Sequence, residues 1–255
     1  THKMTDEFIL DFISQEDFEK HVSNTLMEYN DVLKPIDLKA FNSNIIDPIK
    51  LLFDKNVFSK SFEEIISLEL QRQRDKTNNN SIGYFHQKIF QYIKKCKVPK
   101  EGWDITFEDA DCKYYIELKN KHNTMNSSSS AKTYMRMQNH LLNALDKDKS
   151  ICALVEVIAK KSQNIPWIIT IDKTKQSKNE KLRRISIDKF YEIITGDKNS
   201  FNKLCKQLPI TIKKLVLNNK NLVVGKDTVY EELQKINKDI LLSLYKLAFK
   251  TYEGF

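Results

Sequence analysis

The sequence predicts an α/β protein whose mixed β-sheet is flanked by helices, with largely helical additions before and after the sheet. Alternating polar and apolar residues predict a β-hairpin over residues 103–119, and apolar runs predict strands at 151–158 and 167–171. A helix is predicted between the hairpin and the first of these strands, from Ala131 to Leu145. Because strands and helices alternate in this part of the chain, a mixed sheet covered by helices is the simplest architecture.

Four helices are predicted before the hairpin, from the helical spacing of apolar residues and from capping residues. The predicted N-caps are Ser14, Asp47, Ser61 and Ser81. The first helix runs to Tyr29, and Glu64 completes a capping box at the start of the third. The asparagine-rich segment 77–80 is expected to end that third helix, so that a separate helix begins at Ser81.

The hairpin places three charged side chains on one face of the predicted sheet. Residues 103–108 and 113–119 each alternate with a period of two, and a polar turn too short for a helix joins them. This connection favours antiparallel pairing. The pairing gathers Asp104, Glu117 and Lys119 on the polar face, where two carboxylates and an ammonium group are costly unless a cation or an anionic substrate joins them.

Two carboxylates beside one ammonium group suit metal-assisted hydrolysis of a phosphodiester. Asp104 and Glu117 would bind Mg²⁺, and the Leu118 carbonyl would be a further ligand. Lys119 would orient or deprotonate the attacking water, or stabilise the transition state by its charge. An exposed strand edge with paired charges would give a similar triplet of residues. The hairpin, with Asp104 in the matching position, favours the catalytic interpretation.

Three segments carry a resemblance to a known family. Residues 82–87, 102–105 and 116–124 are similar to the type II restriction endonucleases that cut GGNCC or GGWCC sites, which belong to the PD-(D/E)XK superfamily. The superfamily motif matches at Asp104, Glu117 and Lys119, with Trp103 in place of the usual proline. The resemblance is clear from Ser81 to Tyr134, and it implies a restriction-endonuclease-like catalytic core.

The resemblance also implies the activity. A type II site-specific deoxyribonuclease would hydrolyse double-stranded DNA at a short palindromic site, GGNCC-like, with Mg²⁺, and leave 5′-phosphate and 3′-hydroxyl ends. A palindromic site implies a two-fold homodimer, and a restriction system implies a companion DNA methyltransferase. Two other hypotheses stay open: a DNA repair or junction nuclease on the same core, and a non-catalytic DNA-binding protein whose acidic pair is only an exposed edge.

Further site residues are predicted on both sides of the motif. Gln87, on the helix from Ser81, would hold a water molecule or a phosphate, although a glutamine on a solvated face would look the same. A polar loop over 120–130 leaves the catalytic strand and would meet the duplex, and the next helix offers more cations. The predicted DNA contacts are Lys121, His122, Asn123, Ser127, Lys132 and Arg136.

Three helices are predicted after the strands, within a mainly helical C-terminal region. They run from Ser186 to near Gly196, from 199 to 207 and from Asp227 to Phe249, with a short strand or turn at 221–224. The last helix has a wide apolar stripe that must be buried in the core or against a second subunit. The basic segment 173–184 is expected to be a loop, either solvated or forming an arm around the duplex.

Composition adds weaker constraints. The 255 residues carry a formal charge of +8, which favours an anionic partner such as nucleic acid, although abundant lysine and asparagine would also follow from an AT-rich genome. The four cysteines lack zinc-binding spacing and are expected to be free thiols in a reducing cytosol. No apolar run has the length of a membrane span and no signal peptide opens the chain, so a soluble cytoplasmic protein is expected.

The expected organisation has three parts in one compact domain. Residues 1–80 would form a helical N-terminal region packed on the core, and residues 81–172 the PD-(D/E)XK catalytic core. Residues 173–255 would form the mainly helical region that serves DNA recognition or dimerisation.

Overall fold

Helices and strands alternate in the middle of the chain, and helices alone lie on either side, over the residues 7–218 and 226–251 that this computed structural model describes. The helices are α1 (Gln15–Val32), α2 (Leu38–Ser43), α3 (Pro48–Val57), α4 (Phe62–Lys88), α5 (Ser127–Asn143), α6 (Ile187–Thr195), α7 (Ser200–Asn218), α8 (Val229–Ile236) and α9 (Ile240–Ala248). The strands are β1 (Cys96–Lys97), β2 (Ile105–Glu108), β3 (Lys113–Lys121), β4 (Ser150–Ile158), β5 (Asn164–Pro166), β6 (Thr170–Ile171), β7 (Thr174–Lys175) and β8 (Leu182–Ser186). The predicted mixed α/β class is confirmed.

Six strands form one mixed sheet in the order β1-β2-β3-β4-β8-β5. The three inner strands β3, β4 and β8 are parallel, while β1, β2 and β5 pair antiparallel toward the edges. Parallel neighbours need a long crossover, and helix α5 supplies it between β3 and β4. The two short strands β6 and β7 pair with each other in a separate hairpin.

The predicted hairpin is confirmed as strands β2 and β3. Ile105 pairs with Ile116, and the turn closes where Asp109 Oδ1 accepts hydrogen bonds from the main-chain N–H groups of Asp111 and Cys112. The face that carries the charged residues is covered rather than solvated along part of its length. Tyr115 on this face is buried in a cluster with residues of α5, β4 and β8, which are Tyr134, Met137, Cys152, Leu154 and Leu182.

The described residues divide into two compact units. The sheet unit comprises the chain up to Thr25 and residues 82–218, and the helical unit comprises residues 26–81 and the chain from 219 onward. The core of the helical unit is formed by buried side chains of α2, α3, α4, α8 and α9. This division follows different boundaries from the predicted parts 1–80, 81–172 and 173–255, which remain a prediction about domains.

Most of the predicted helix starts are confirmed by their capping bonds. Ser14 Oγ accepts from the Asp17 N–H at 3.1 Å, and Asp47 Oδ1 accepts from two main-chain N–H groups of α3. Ser61 and Glu64 form the reciprocal bonds of a capping box, 3.2 Å and 2.8 Å long. The positive φ of 75° at Gly196 ends α6.

The predicted break at 77–80 is wrong, because α4 continues from Phe62 to Lys88. Ser81 is therefore a buried residue inside the helix and not its N-cap. The cost of asparagine in a helix interior is only about 0.7 kcal/mol per residue. Burial of Ile65, Ile66 and Leu70 before this segment and of Phe85 after it outweighs that cost.

Several predicted boundaries around the sheet are also wrong. Helix α5 begins at Ser127, four residues earlier than predicted, so the loop after β3 is shorter than 120–130. The strand predicted over 167–171 is only Thr170–Ile171. The segment predicted as a basic loop ends in the inner strand β8, because parallel pairing with β4 is a long-range contact that local polarity does not indicate.

The C-terminal helices differ from the prediction as well. Helix α7 continues past Pro209 to Asn218, and the predicted final helix is divided between α8 and α9 at Asn237. Its apolar stripe lies in the core of the helical unit, where Leu233 and Leu244 are fully buried. The strand or turn predicted at 221–224 lies outside the described residues.

All four cysteines are free, as predicted. Within residues 7–218 and 226–251, no helix is long and apolar enough to cross a membrane.

Candidate active site

Asp104 is held at the start of β2 by contacts with two other elements. Its main-chain N–H donates to the Ile116 carbonyl at 3.0 Å, and its Oδ2 accepts from the Leu118 N–H at 2.7 Å. The Gln87 amide on α4 donates to the Asp104 carbonyl at 3.1 Å and lies 3.4 Å from Oδ1. Gln87 therefore contacts Asp104 directly, whereas the sequence predicted a contact with water or phosphate, which remains a prediction.

The pKa of Asp104 is raised above the ordinary aspartate value. Burial is the largest cause, and the negative charge of Glu117 raises the pKa further. The hydrogen bond from the Leu118 N–H and the charges of Lys119 and Arg136 act in the opposite direction. A cation placed against Asp104 would favour its ionised form.

Glu117 receives one cation on each carboxylate oxygen. Lys119 Nζ lies 2.8 Å from Oε1, and an Arg136 terminal nitrogen (Nη2) on α5 lies 2.6 Å from Oε2. The Glu117 side chain is 15% exposed, so these pairs are screened less than pairs on the surface. Residues 117 and 119 point to the same side of β3, with Leu118 between them on the opposite side.

Arg136 is held by contacts to residues next to Asp104. Its guanidinium lies 4.4 Å from the centroid of the Trp103 ring, which is within the range of a cation–π interaction. Its other terminal nitrogen (Nη1) donates to the Gly102 carbonyl at 3.1 Å. The sequence predicted Arg136 as a DNA contact and did not indicate its bond to Glu117, because a pair across 19 positions depends on how α5 lies over the sheet.

The donor set for a metal ion consists of hard oxygen atoms. Across residues 7–218 and 226–251, no group of three or more His, Cys, Asp and Glu side chains could hold a metal. The candidate metal ligands are therefore the carboxylates of Asp104 and Glu117, together with the Leu118 carbonyl. Because the N–H and C=O of a strand residue point the same way, the bond from the Leu118 N–H to Asp104 directs that carbonyl toward Asp104. Two carboxylates, a carbonyl and water suit Mg²⁺, which keeps several waters in proteins.

The predicted DNA contacts lie at the end of β3 and on α5. Lys121 is the last residue of β3, Asn123 is exposed in the turn, and Ser127 is the first residue of α5. His122 is tied to β4, because its N–H and its ring nitrogen Nδ1 both contact the Ile158 carbonyl. Lys132 is exposed on α5. Their contacts with DNA remain predictions.

A second charged pair lies beside β3, and the sequence analysis missed it. Glu156 on β4 is 2% exposed and accepts two hydrogen bonds from Arg184 on β8, 2.6 Å and 2.9 Å long. Lys119 and Glu156 are register partners on adjacent strands. The available signal was the glutamate inside the apolar run 151–158, since a charged residue within a buried strand requires a partner.

The mixed six-stranded sheet flanked by helices, with two carboxylates and a lysine at the β2–β3 hairpin, agrees with the fold of the restriction endonuclease class. The sequence model of the Eco47II restriction endonuclease family matches residues 10–217, and the chain belongs to that family. It is therefore a site-specific deoxyribonuclease, as the resemblance implied.

Two curated relatives agree with this assignment. The chain is 31% identical over 216 residues to the type II restriction enzyme Sau96I of Staphylococcus aureus. The matched segment covers 82% of this chain and 81% of that protein. It is 30% identical over 213 residues to the type II restriction enzyme Eco47II of Escherichia coli, over 82% of this chain and 88% of the relative.

Proposed function

We propose that this restriction endonuclease hydrolyses double-stranded DNA at a short palindromic site of the GGNCC kind, in the cytoplasm, with Mg²⁺ as cofactor, and leaves 5′-phosphate and 3′-hydroxyl ends. The observation that carries the proposal is the contact set around Glu117. Lys119 and Arg136 neutralise Glu117, while Leu118, between Glu117 and Lys119, holds Asp104. Sequence similarity in residues 116–124 supports the choice of site and of superfamily, PD-(D/E)XK.

Asp104, Glu117 and the Leu118 carbonyl are the groups that would hold Mg²⁺. When bound, the ion offsets negative charge on the phosphate and makes coordinated water more acidic. Gln87 and the Leu118 N–H fix Asp104, so its carboxylate needs little reorganisation. Asp104, one of the proposed metal ligands, is thereby held by α4 and by β3.

Lys119 is the residue that would act on the attacking water. Its ammonium group is held 2.8 Å from Glu117 Oε1 and its side chain is 33% exposed, so it is both positioned and accessible. From this position Lys119 orients the water in line with the phosphorus and stabilises the charge that develops in the transition state. Arg136, bound to the other oxygen of Glu117, would contact the phosphate together with Lys121, His122, Asn123, Ser127 and Lys132.

A palindromic site calls for two copies of the chain, one for each strand. We propose that the copies associate through the exposed apolar face of α3, where Ile49, Phe53 and Val57 recur at helical spacing and are 50%, 66% and 70% exposed. With the neighbouring Ile45 and Phe58, 88% and 63% exposed, this face presents five large apolar side chains to solvent. A two-fold axis would bring the same face of both copies into contact.

The test is digestion of a long sequenced duplex by wild type, Lys119→Met and Glu117→Gln, with Mg²⁺ or with a chelator. Discrete fragments whose ends share a palindrome are expected only with wild type and Mg²⁺, and the companion methyltransferase should protect the same site. The matched control is Lys60→Met, which removes a lysine paired with a glutamate in the helical unit and should cut like wild type.

The same digestion separates the alternatives. Cleavage confined to branched or damaged substrates would favour a repair or junction nuclease. Intact DNA in every lane would favour a binding protein, and full activity of Lys119→Met would remove the proposed role of the lysine.

A further inference from the structure

We propose that Arg184 is a positioning residue for the cleavage reaction. Arg184 neutralises the buried carboxylate of Glu156 and thereby keeps Lys119 in contact with Glu117. The inference rests on the proposed function, in which Lys119 acts from its contact with Glu117. It concerns a pair of residues on β4 and β8 that contact neither substrate nor metal in that proposal.

The geometry of the sheet places two carboxylates on either side of Lys119. Glu117 lies two residues before Lys119 on the same face of β3, and Glu156 is its register partner on β4. Adjacent strands are about 4.8 Å apart, so the stem of Lys119 runs beside that of Glu156. The ammonium group nevertheless contacts Glu117, at 2.8 Å.

Arg184 explains why Glu156 does not compete for Lys119. Arg184 is the register partner of Leu154, and their side chains lie on the same face of the sheet. From there it reaches diagonally to Glu156, which lies two residues beyond Leu154 on β4. Its guanidinium donates to both carboxylate oxygens, at 2.6 Å and 2.9 Å. A planar fork of donors matches a carboxylate on two oxygens at once, so the charge of Glu156 is neutralised by one fixed side chain.

Removing Arg184 would leave a carboxylate that is 2% exposed without its cation. A buried charge without a partner is strongly unfavourable. Lys119 is the cation at the same register on the next strand, and its flexible stem lets the ammonium group turn from Glu117 to Glu156. The water-positioning group would then be withdrawn from the metal site, although the proposed metal-binding residues stay in place. Of the proposed DNA contacts, Arg184 touches His122, whose main-chain carbonyl accepts a 3.5 Å hydrogen bond from it.

The test compares single-turnover cleavage by wild type, Arg184→Met and the double variant Glu156→Gln/Arg184→Met. Arg184→Met is expected to cut about tenfold more slowly or worse, since proton-transfer groups contribute on the order of 100-fold or more. DNA affinity, measured with Ca²⁺, is expected to stay within about twofold, because Arg184 touches the proposed DNA contact His122 only through one long bond to its main-chain carbonyl. The double variant is expected to recover cleavage to within roughly threefold of wild type, since no carboxylate is left at position 156 to draw Lys119 away from Glu117.

The chain offers a control for the loss of a bidentate arginine from a buried carboxylate. Arg72 donates to both oxygens of Glu69, at 2.7 Å and 2.6 Å, and Glu69 is 7% exposed in the helical unit. Arg72→Met should lower the melting temperature as Arg184→Met does and should leave the cleavage rate unchanged. All rates are measured well below the melting temperature of each variant.

Two results would overturn the proposal: wild-type cleavage by Arg184→Met, or a slow double variant that is as stable as wild type. Should Arg184→Met not fold, Arg184→Gln takes its place with the same expectations. Lys119→Met tests the underlying function separately. If Lys119→Met cuts normally the proposed function fails, whereas an inactive Lys119→Met beside a fully active Arg184→Met removes only the role of Arg184.

Discussion

The main-chain N–H of Leu118 donates a 2.7 Å hydrogen bond to Asp104 Oδ2, so one candidate metal ligand is fixed by the residue next to the other, Glu117. Strand β2 begins only at Ile105, and the Asp104 side chain accepts the bond that a further strand residue would have accepted from β3. The hairpin therefore determines the position of both carboxylates, and replacements at this junction should change catalysis more than they change the fold.

Asp104→Asn should abolish cleavage while it retains the bond from Leu118, because an amide oxygen also accepts a hydrogen bond. Loss of a charged metal ligand should lower the single-turnover rate by about 100-fold or more. DNA affinity in Ca²⁺ should change much less than the rate. A variant that cuts within a few-fold of wild type would exclude Asp104 as a metal ligand.

The same substitution should stabilise the metal-free protein at neutral pH. The pKa of Asp104 is raised in the folded state, so ionisation of this side chain lowers the free energy of unfolding. This loss of stability develops as the pH rises through the pKa of the folded state. In the presence of a chelator, Asp104→Asn should melt at a higher temperature than wild type at pH 7. The difference should disappear below about pH 3.9, the ordinary aspartate value. An equal difference at both pH values would contradict this origin.

Gln87→Ala should slow cleavage roughly threefold to tenfold, the effect of one lost hydrogen bond on the position of Asp104. DNA binding in Ca²⁺ should be unchanged. The control is Gln71→Ala, which removes a glutamine on the same helix that donates to Asp75 at 3.0 Å in the helical unit. Weaker DNA binding by Gln87→Ala would instead favour a direct phosphate contact, as the sequence analysis allowed.

The variant Arg136→Met distinguishes two roles of this arginine: a direct contact with DNA, and a contact with Glu117 alone. If Arg136 neutralises one phosphate, the slope of log affinity against log salt should decrease by about 0.9. We expect this decrease together with a cleavage rate lower by about tenfold, since Glu117 loses its 2.6 Å partner. A reduced rate with an unchanged salt slope would show that Arg136 acts only through Glu117.

Phe53→Glu should convert the proposed dimer to a monomer, because it places a charge in the centre of the apolar face of α3. Sedimentation of wild type should give twice the monomer mass at micromolar concentration, and the variant should give the monomer mass. Leu142→Glu is the control, since Leu142 on α5 is 68% exposed and lies outside the proposed interface. A wild-type monomer, or a Phe53→Glu dimer, would contradict the assignment.

Asp227→Asn should destabilise the helical unit in a pH-dependent way. Arg74 donates to both Asp227 oxygens, at 2.8 Å and 2.6 Å, and holds the aspartate pKa below its ordinary value. A lowered pKa contributes stability above the unfolded value, about 3.9, which is lost as pH falls through the folded value.

The expected loss in the free energy of unfolding is about 2 kcal/mol at pH 7, shrinking toward pH 2. Urea unfolding at several pH values measures it. Asp31→Asn, which removes an exposed pair with Lys34, should cost less than about 1 kcal/mol. A pH-independent loss at Asp227 would point to packing and not to charge.

The sequence by itself determined the hairpin, its turn and the helix caps at Ser14, Asp47 and Ser61. These features depend on contacts within a few residues: alternation with a period of two, a turn too short for a helix, and side chains that bind the next free N–H groups. Asp104, Glu117 and Lys119 could be proposed as catalytic residues for the same reason, since the hairpin brings them together by local pairing.

Only the tertiary structure decided the path of α4 through its asparagines, the place of β8 in the sheet and the partners of the buried carboxylates. Glu156 and Arg184 are 28 positions apart, and Arg136 meets Glu117 across 19. Local polarity indicates that Arg184 belongs to a solvated loop, whereas parallel pairing with β4 buries its strand. Such contacts are fixed by the packing of distant segments, whose burial outweighs local preferences that amount to less than about 1 kcal/mol per residue.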